Sequence, residues 1–383
     1  MLSKVPCKRD LFSASLIRLL VRFAPNLRTS ILQRPLRGRS PLQVDATLYS
    51  GMAYKLLSQT VRCKLKALDT SHKPLNTIDT AAKRREAMRH VVNQAGLSAN
   101  SPNQTTGRGH WRATLKLGFE RAGETTRLIH RQHTGPLRVQ KPLYPEHPST
   151  CHAIIIHPPG GVVGGDELHM QFNLEPNARA LLSTPGAAKW YRANGHRSRQ
   201  QMRIRVAASA ALEWLPQETI LFNAADVILD SIIDLDTDAR YIGCEILCFG
   251  RKASGETFDR GQVQQSMLIR KEGKPLWLEQ GILAASGRQM RSPLGLGCHS
   301  VCASLIAVGS AGNSGLLDAV REQCAESSDG HGQFGVTQMK SVIIVRHLGD
   351  NSEVARRVMI AAWQVLRPAL LGREAAVPRI WNT

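Results

Sequence analysis

The sequence predicts a mainly β protein with a few helices, one of them C-terminal. Three observations support this class. Segments with strand-like alternation or strand-length apolar runs recur between residues 111 and 310, turn-forming residues separate them, and no helical pattern lies between consecutive strands. Because parallel sheets built from strand–helix–strand units need such helices, we expect a sandwich, a barrel or a stack of sheets.

The first predicted strand begins at Trp111, where apolar and polar side chains alternate as far as Phe119. The same period of two returns over residues 168–174 and 202–206. Apolar runs of strand length, bounded by Gly, Pro, Asn or Asp, predict further strands at 153–156, 227–235, 242–249 and 342–345.

Two helices are predicted near the C-terminus. A short one covers residues 314–325. The longer one covers 352–371, with Asn351 or Ser352 as its N-cap and apolar side chains along one face. Pro368 is expected to kink or end this second helix, because proline lacks the backbone N–H that a helix interior requires.

The composition is that of a folded protein without a membrane-spanning helix. Hydrophobic residues make up 42% of the 383 residues, and the longest apolar runs fall short of the roughly 18 residues that a membrane helix needs. Eight scattered cysteines without close spacing indicate free thiols in a reducing compartment. We therefore expect a cytoplasmic protein that does not contact a membrane.

Positive charge is concentrated in the first 108 residues, which hold 19 Lys and Arg against 5 Asp and Glu. We divide the chain into a basic, poorly ordered extension over 1–108 and a β-rich domain over 109–383, with a polar linker at 98–107. The arginines of the first forty residues resemble a mitochondrial transit peptide, and an amphipathic helix over 11–23 is a further interpretation. We favour upstream coding sequence, because a targeting peptide is normally followed at once by the mature domain.

A formal net charge of +20 raises the alternative of a basic nucleic-acid-binding protein. The later chain contains no zinc finger, bZIP heptads or RNP1-like run, and most of the excess charge lies in the extension. We therefore expect no nucleic-acid partner.

Residues 157–166, His-Pro-Pro-Gly-Gly-Val-Val-Gly-Gly-Asp, form the most unusual segment. Gly160, Gly161, Gly164 and Gly165 allow positive φ angles and a close backbone approach. A nucleotide-dependent enzyme that uses residues 160–166 is therefore one interpretation. Since no Lys-Ser/Thr follows and the next segment is strand-like, we favour a structural loop.

The Cys and His spacings predict no permanent metal site. Cys244 and Cys248 lie four residues apart in a predicted strand, hence roughly 13 Å apart and too far to share one ion. Cys298 and Cys302, beside His299, stay an open alternative. The lone histidines are expected to be hydrogen-bonded structural residues.

Carboxylates within apolar strands are the most informative polar residues: Asp166, Glu213, Glu218, Glu245 and Glu279. Burying an unpaired acid costs several kcal/mol, so an inward-facing acid requires a wet cavity or a basic partner such as Arg251. No Ser-His-Asp or HExxH signature accompanies these acids. We therefore predict no catalytic residue among them.

Several motifs in one order, between residues 111 and 383, resemble the UreD (UreH) family of urease accessory proteins. They are Gly-Pro-Leu-Arg-Val-Gln at 135–140, Tyr-Pro-Glu at 144–146, the glycine-rich segment at 157–166, Thr-Pro-Gly-Ala-Ala-Lys-Trp-Tyr-Arg at 184–192, Glu-Trp-Leu-Pro-Gln-Glu at 213–218, Gly-Arg at 250–251 and Pro-Arg-Ile-Trp at 378–381. The resemblance implies a β-rich stack whose strands follow a helix-like course.

The resemblance also implies a function. Its members are expected to act as non-enzymatic scaffolds that bind apo-urease, recruit UreF and the GTPase UreG, and help to deliver nickel to the urease active site. Nickel would then be in transit, with no cofactor bound permanently.

A divalent ion in transit needs successive oxygen ligands that bind it weakly, which carboxylates and water supply. From the embedded acids and their place in the matching motifs, we predict an internal carboxylate-lined tunnel. Its ion-contacting residues are Asp166, Glu167, Glu245 and Glu279. The residues that shape its wall or orient the acids are Lys189, Tyr191, Arg192 and Arg251.

Overall fold

The computed structural model of the chain describes residues 110–309 and 315–382. The predictions for the basic extension, its transit-peptide-like or helical segment and the linker at 98–107 lie outside these residues. The first residue of the helix predicted at 314–325 also lies outside them.

Strands dominate the described residues. In chain order they are β1 (Arg112–Ala122), β2 (Thr125–Thr134), β3 (Arg138–Val139), β4 (Cys151–Ile156), β5 (Glu167–Leu174), β6 (Arg179–Ser183), β7 (Ala188–Trp190), β8 (Ser198–Val206), β9 (Ala211–Leu215), β10 (Thr219–Leu221), β11 (Asp226–Leu235), β12 (Arg240–Phe249), β13 (Gln262–Lys271), β14 (Lys274–Ala284), β15 (Val301–Val308), β16 (Gln333–Met339) and β17 (Val342–Gly349). The helices are α1 (Arg288–Arg291), α2 (Leu316–Ser328) and α3 (Ser352–Leu371), with short 3-10 helices at Lys252–Ser254 and Arg379–Asn382.

The strands form two sheets, and the chain alternates between them. The seven-stranded sheet has the order β14-β13-β11-β8-β5-β1-β2, and β1, β5, β8, β11 and β13 are parallel neighbours within it. The ten-stranded sheet has the order β16-β17-β15-β12-β9-β6-β4-β3, with β10 paired to β12 and β7 to β10. Between two parallel neighbours of one sheet, the chain runs through a strand of the other sheet. No crossover helix is therefore needed to connect parallel strands. This winding confirms the predicted mainly β stack with a helix-like strand course.

The predicted alternation of β1 is confirmed in its buried face. Ala113, Leu115, Leu117 and Phe119 are buried between the sheets, together with the corresponding apolar residues of β5 and β8. Trp111 is the exception, because it precedes the strand and is 53% exposed.

A second apolar layer lies between the ten-stranded sheet and the helices α2 and α3. The strands β12, β15 and β17 contribute to this layer the apolar side chains that face the helices, on the side of the sheet opposite to the inter-sheet core. The helices contribute Val320 and Cys324 of α2, and Val358, Trp363 and Leu366 of α3. The spacing of three to five residues puts these side chains on one face of each helix.

The long helix begins as predicted and ends later than Pro368. The Asn351 side chain caps it by accepting hydrogen bonds from the backbone N–H groups of Glu353 (2.8 Å) and Val354 (3.4 Å). Pro368 does not end the helix, which continues to Leu371 and closes with the Gly372 N–H donating to the Pro368 carbonyl. Only one helical turn follows Pro368, and the Pro368 carbonyl still accepts a helical hydrogen bond.

The cysteines of the described residues are free thiols, so none of them is paired in a disulfide. Within the same residues, no helix combines the length and the apolar character that crossing a membrane would require.

Candidate functional site

Two cavities lie between the sheets and share part of their walls. The larger, of about 290 Å³, lies against residues 157–162 and 184–189. The smaller, of about 30 Å³, lies between strands of both sheets, among them β12, β13 and β14. Gln200, Trp214 and Glu245 line both cavities. Around these two cavities, polar side chains interrupt the apolar packing between the sheets.

Glu245 projects from β12 into the space between the sheets, since its neighbours Cys244 and Ile246 belong to the layer on the helix side. The Gln265 side-chain amide of β13 donates a hydrogen bond to its carboxylate. Burial raises the pKa of Glu245 to about 7, and the nearby Glu279 carboxylate adds to the rise. This carboxyl therefore titrates near neutral pH.

The smaller cavity contains a further polar group without a partner. The Tyr241 hydroxyl of β12 lines it and makes no hydrogen bond within the described residues. Burial raises the pKa of Tyr241, so this hydroxyl keeps its proton. A buried O–H without a partner costs free energy, which favours a polar guest in this cavity.

Glu279 lies on the other side of the smaller cavity, on β14. Its two carboxylate oxygens accept hydrogen bonds from the Arg346 guanidinium of β17, both of 2.8 Å. Arg346 also donates to the Ser304 hydroxyl at 3.4 Å. Glu279 is thus neutralised by a cation, whereas Glu245 forms no ion pair within the described residues.

The glycine-rich segment folds against residues 189–196. A Cβ atom at Gly161 would lie 2.5 Å from the Tyr191 ring, and one at Gly164 would lie 1.8 Å from the Ala193 carbonyl oxygen. Gly165 has a φ of 92°, a value that favours glycine. The protein's own atoms occupy the space beside these glycines. Because strand β5 rather than a helix follows, the loop offers no phosphate-binding helix N-terminus.

Asp166 closes this loop. Its carboxylate accepts hydrogen bonds from the backbone N–H groups of Trp111 (2.9 Å) and Val163 (3.1 Å), and the residue is 3% exposed. Glu167 lies on the outer face of the seven-stranded sheet, where it contacts His169 (2.9 Å) and Arg112 (3.7 Å). The structure does not bring either acid into the walls of the two cavities.

Of the four predicted wall residues, Lys189 alone lines one of the two cavities. Lys189 lines the larger cavity, and the Tyr191 hydroxyl donates to the Gly160 carbonyl at 3.1 Å. Arg192 is exposed. Arg251, the example given of a basic partner for an inward-facing acid, binds Glu256 at 2.7 Å and lines neither of the two cavities. The physical reason is that β12 ends at Phe249 and Gly250, with a φ of 86°, turns the chain out of the sheet.

Two cavity residues and the cationic partner of Glu279 were not predicted from the sequence: Gln200, Gln265 and Arg346. Each occupies a position in phase with the inward-facing apolar residues of its strand, as Gln200 is with Met202 and Ile204. A polar residue at an inward-facing position of the alternation therefore indicates a polar side chain between the sheets, and this signal could have identified all three residues.

A buried ionic cluster binds α3 to the ten-stranded sheet. Glu213 of β9, 2% exposed, accepts hydrogen bonds from Trp363 Nε1 (2.6 Å) and Arg367 Nε (3.0 Å). Arg367 also donates to Glu146 at 2.7 Å, and Glu146 contacts His152 at 2.6 Å. The sequence indicates that a buried Glu213 needs a partner, but not that Arg367 supplies it.

Burial acts differently on the two acids of this cluster. It opposes ionisation of Glu146, but hydrogen bonds from His152 and Arg367 outweigh it and lower the pKa of Glu146 to about 2. For Glu213 the burial cost is larger than the attraction of Arg367, and its pKa is raised. The cluster lies on the helix side of the sheet, so we treat it as structural.

Fold and site together define a β-stack protein with a polar, carboxylate-containing interior. Within the described residues, no group of three or more His, Cys, Asp or Glu is placed to hold a metal ion. The chain belongs to the UreD family, because the family model described as UreD urease accessory protein matches residues 112–382.

Individual relatives agree with this membership. A urease accessory protein UreD of Janthinobacterium sp. strain Marseille is 58% identical over 271 residues, which cover 71% of this chain and 91% of that protein. The protein of the same name from Nitrosospira multiformis is 47% identical over 272 residues, covering 71% and 98%. That of Methylobacillus flagellatus is 46% identical over 274 residues, covering 71% and 95%. The family and these relatives carry the description of an accessory protein of urease rather than of an enzyme.

Proposed function

We propose that this chain is a urease maturation factor: a non-enzymatic scaffold that binds apo-urease, works with UreF and UreG, and helps to deliver nickel to the urease active site through the interior of its β stack. Membership in a family of urease accessory proteins supports the role in urease maturation. The named partners and the internal route are more specific than the family description. The cavities between the sheets support the internal route.

The observation that carries the internal route is the place of Glu245. It lines both cavities, has no cationic partner within the described residues, and has a pKa raised to about 7 by burial and by Glu279. Such a carboxyl exchanges a proton for a cation near neutral pH. One carboxylate with amide and hydroxyl neighbours binds a divalent ion weakly enough to release it.

The proposed route runs from the larger cavity, past Gln200 and Glu245, to Glu279. An ion that reaches Glu279 competes with Arg346 for the carboxylate, which favours its release. We leave Asp166 and Glu167 out of this route. The Asp166 carboxylate is held by two backbone N–H groups, and Glu167 lies on the outer face of the sheet.

The test compares Glu245→Gln with Glu120→Gln, which removes an exposed carboxylate from β1 of the same domain. Purified full-length variants are combined with apo-urease, UreF, UreG, GTP and limiting nickel, and urease activity is followed. We expect Glu245→Gln to lower activation severalfold at limiting nickel, and the difference to shrink as nickel is raised. Equal activation by the two variants at every nickel concentration would reject Glu245 as part of the route. Failure of the wild type to co-purify with UreF or apo-urease would reject the scaffold role itself.

A further inference from the structure

The outer face of the seven-stranded sheet contains a groove of about 360 Å³ between β5, β8 and β11. Arg203 and Arg205 of β8 project into it, because they alternate with the buried residues Met202 and Ile204. The groove therefore opens on the side of the sheet opposite to the two cavities lined by Glu245. It is independent of the proposed nickel route.

Four hydrogen-bond donors form the corners of this groove. The parallel register of β5 and β8 places Gln171 beside Arg203 and Asn173 beside Arg205. Neighbouring strands lie about 4.8 Å apart and alternate residues of one strand about 6.6 Å apart, so the four side chains surround an area that one small anion covers. Neither amide has a hydrogen-bond partner within the described residues.

Arg203 has no acid of its own within the described residues. Asp230 pairs with Arg199 at 2.9 Å, Asp234 with Arg270 at 3.4 Å, and Asp236 with Arg205 at 3.9 Å. Arg203 forms no ion pair or hydrogen bond with another described residue. Each nearby aspartate is thus shared with another arginine at closer range.

The environment of Arg203 makes this lack of a partner costly. Burial lowers the pKa of Arg203 despite the attraction of Asp230 and Asp234, although an arginine stays charged at neutral pH. A partly desolvated guanidinium without a close counter-charge is stabilised by an anion that supplies one.

We propose that this groove binds a small oxyanion, a carboxylate or a phosphate, through the guanidinium of Arg203, with further hydrogen bonds from Arg205, Gln171 and Asn173. Planar bidentate pairing is the strongest contact that an arginine makes with either group. The volume falls in the range of small-molecule sites. Glu175 and Asp234 on the groove wall disfavour an extended polyanion such as nucleic acid, because they repel its additional charges.

The test is isothermal titration calorimetry of the full-length chain with inorganic phosphate and, separately, with citrate at low ionic strength. The matched control is Arg131→Gln, which removes an exposed positive charge from β2 of the same sheet, outside the groove. We expect saturable binding of at least one anion by the wild type and by Arg131→Gln. Arg203→Gln should weaken this binding at least about tenfold, as expected for the loss of a charge-assisted hydrogen-bonded contact.

Arg203→Lys keeps the charge and most of the aliphatic stem, so it provides a second test if Arg203→Gln does not fold. Because lysine cannot make the bidentate contact, we expect binding that is weaker than in the wild type. The anion that binds distinguishes the two ligand classes. Absence of saturable binding of both anions, or an equal loss in the Arg203 variants and Arg131→Gln, would overturn the proposal.

Discussion

Glu245 acquires its chemistry from its surroundings. An exposed glutamate is ionised at neutral pH, whereas burial between two sheets, with another carboxylate nearby, raises the pKa of Glu245 to about 7. Its hydrogen-bond partner, the Gln265 amide, is neutral and does not compensate the charge. The protein therefore carries a carboxyl that is unstable in its ionised form, and a passing cation would stabilise that form.

The raised pKa makes stability depend on pH. The folded state holds the Glu245 proton more tightly than the unfolded state, so stability is highest below the ordinary value of 4.5 and is lost as the pH rises through about 7. Glu245→Gln cannot lose this proton. We therefore expect Glu245→Gln to gain up to about 3 kcal/mol in unfolding free energy relative to the wild type between pH 4.5 and 8.

Urea unfolding of the full-length proteins at several pH values measures this difference. Glu120→Gln is the control, because it changes an exposed carboxylate. A difference between Glu245→Gln and the wild type that does not change with pH would show that Glu245 titrates normally.

The buried cluster around Arg367 gives a second residue-level prediction. Arg367 is 1% exposed and binds both Glu146 and Glu213. Arg367→Met leaves the buried Glu213 and the partly buried Glu146 without their shared cation, so we expect a loss of about 3–5 kcal/mol in unfolding free energy. Glu213→Gln should cost less, since the amide still accepts from Trp363. Urea unfolding at neutral pH compares them, and a loss below about 1 kcal/mol for Arg367→Met would contradict the assigned role.

Among the elements, the glycine loop depends most on the absence of side chains. A Cβ atom at position 164 would lie 1.8 Å from the Ala193 carbonyl oxygen and 2.7 Å from that of His196. Both are backbone atoms, so the loop or residues 193–196 must move. We expect Gly164→Ala to destabilise the protein by about 1–3 kcal/mol.

The matched control is Gly186→Ala, where a Cβ atom would meet no atom within 4 Å and φ is not positive. Thermal unfolding of both variants decides the point. If Gly164→Ala has the same melting temperature as Gly186→Ala, the loop is not packed as closely as described.

Sequence patterns predicted several of the strands that line the cavities, among them β8, β11 and β12, but missed β13. In β1, β5 and β8 the apolar residues follow the period of two closely enough to identify the buried face. In β13 the inward position of Gln265 interrupts the alternation, and the strand escaped prediction. The residues that weaken the strand signal are thus those that make the interior polar.

Pro368 shows the limit of a local rule. Its position in the final turn of α3 lets the helix continue to Leu371, because the apolar face of α3 packs on the sheet on both sides of the proline. Tertiary packing decides the helix end here.

At the scale of the whole molecule, local patterns assign faces to strands but not partners. The period of two cannot indicate that β5 pairs with β8 across the intervening strands β6 and β7, since that pairing depends on the winding of the chain through both sheets. The family motifs implied this winding. Likewise, the sequence identified Glu245 and Glu279 as embedded acids, but only the fold shows that β17 brings Arg346 to Glu279.

The proposed function requires nickel to pass between the two sheets. Ser304 of β15 lies beside Glu245 in register and lines the smaller cavity, so Ser304→Leu fills the narrow part of the route. Thr337→Leu places the same side chain at an exposed position of β16 and is the control. The decisive measurement is the nickel content of urease after incubation with nickel-loaded complexes of each variant, in the presence of a chelator that removes free nickel. We expect Ser304→Leu to assemble normally but to transfer little nickel, whereas Thr337→Leu should transfer as much as the wild type. Equal transfer by the two variants would contradict an internal route.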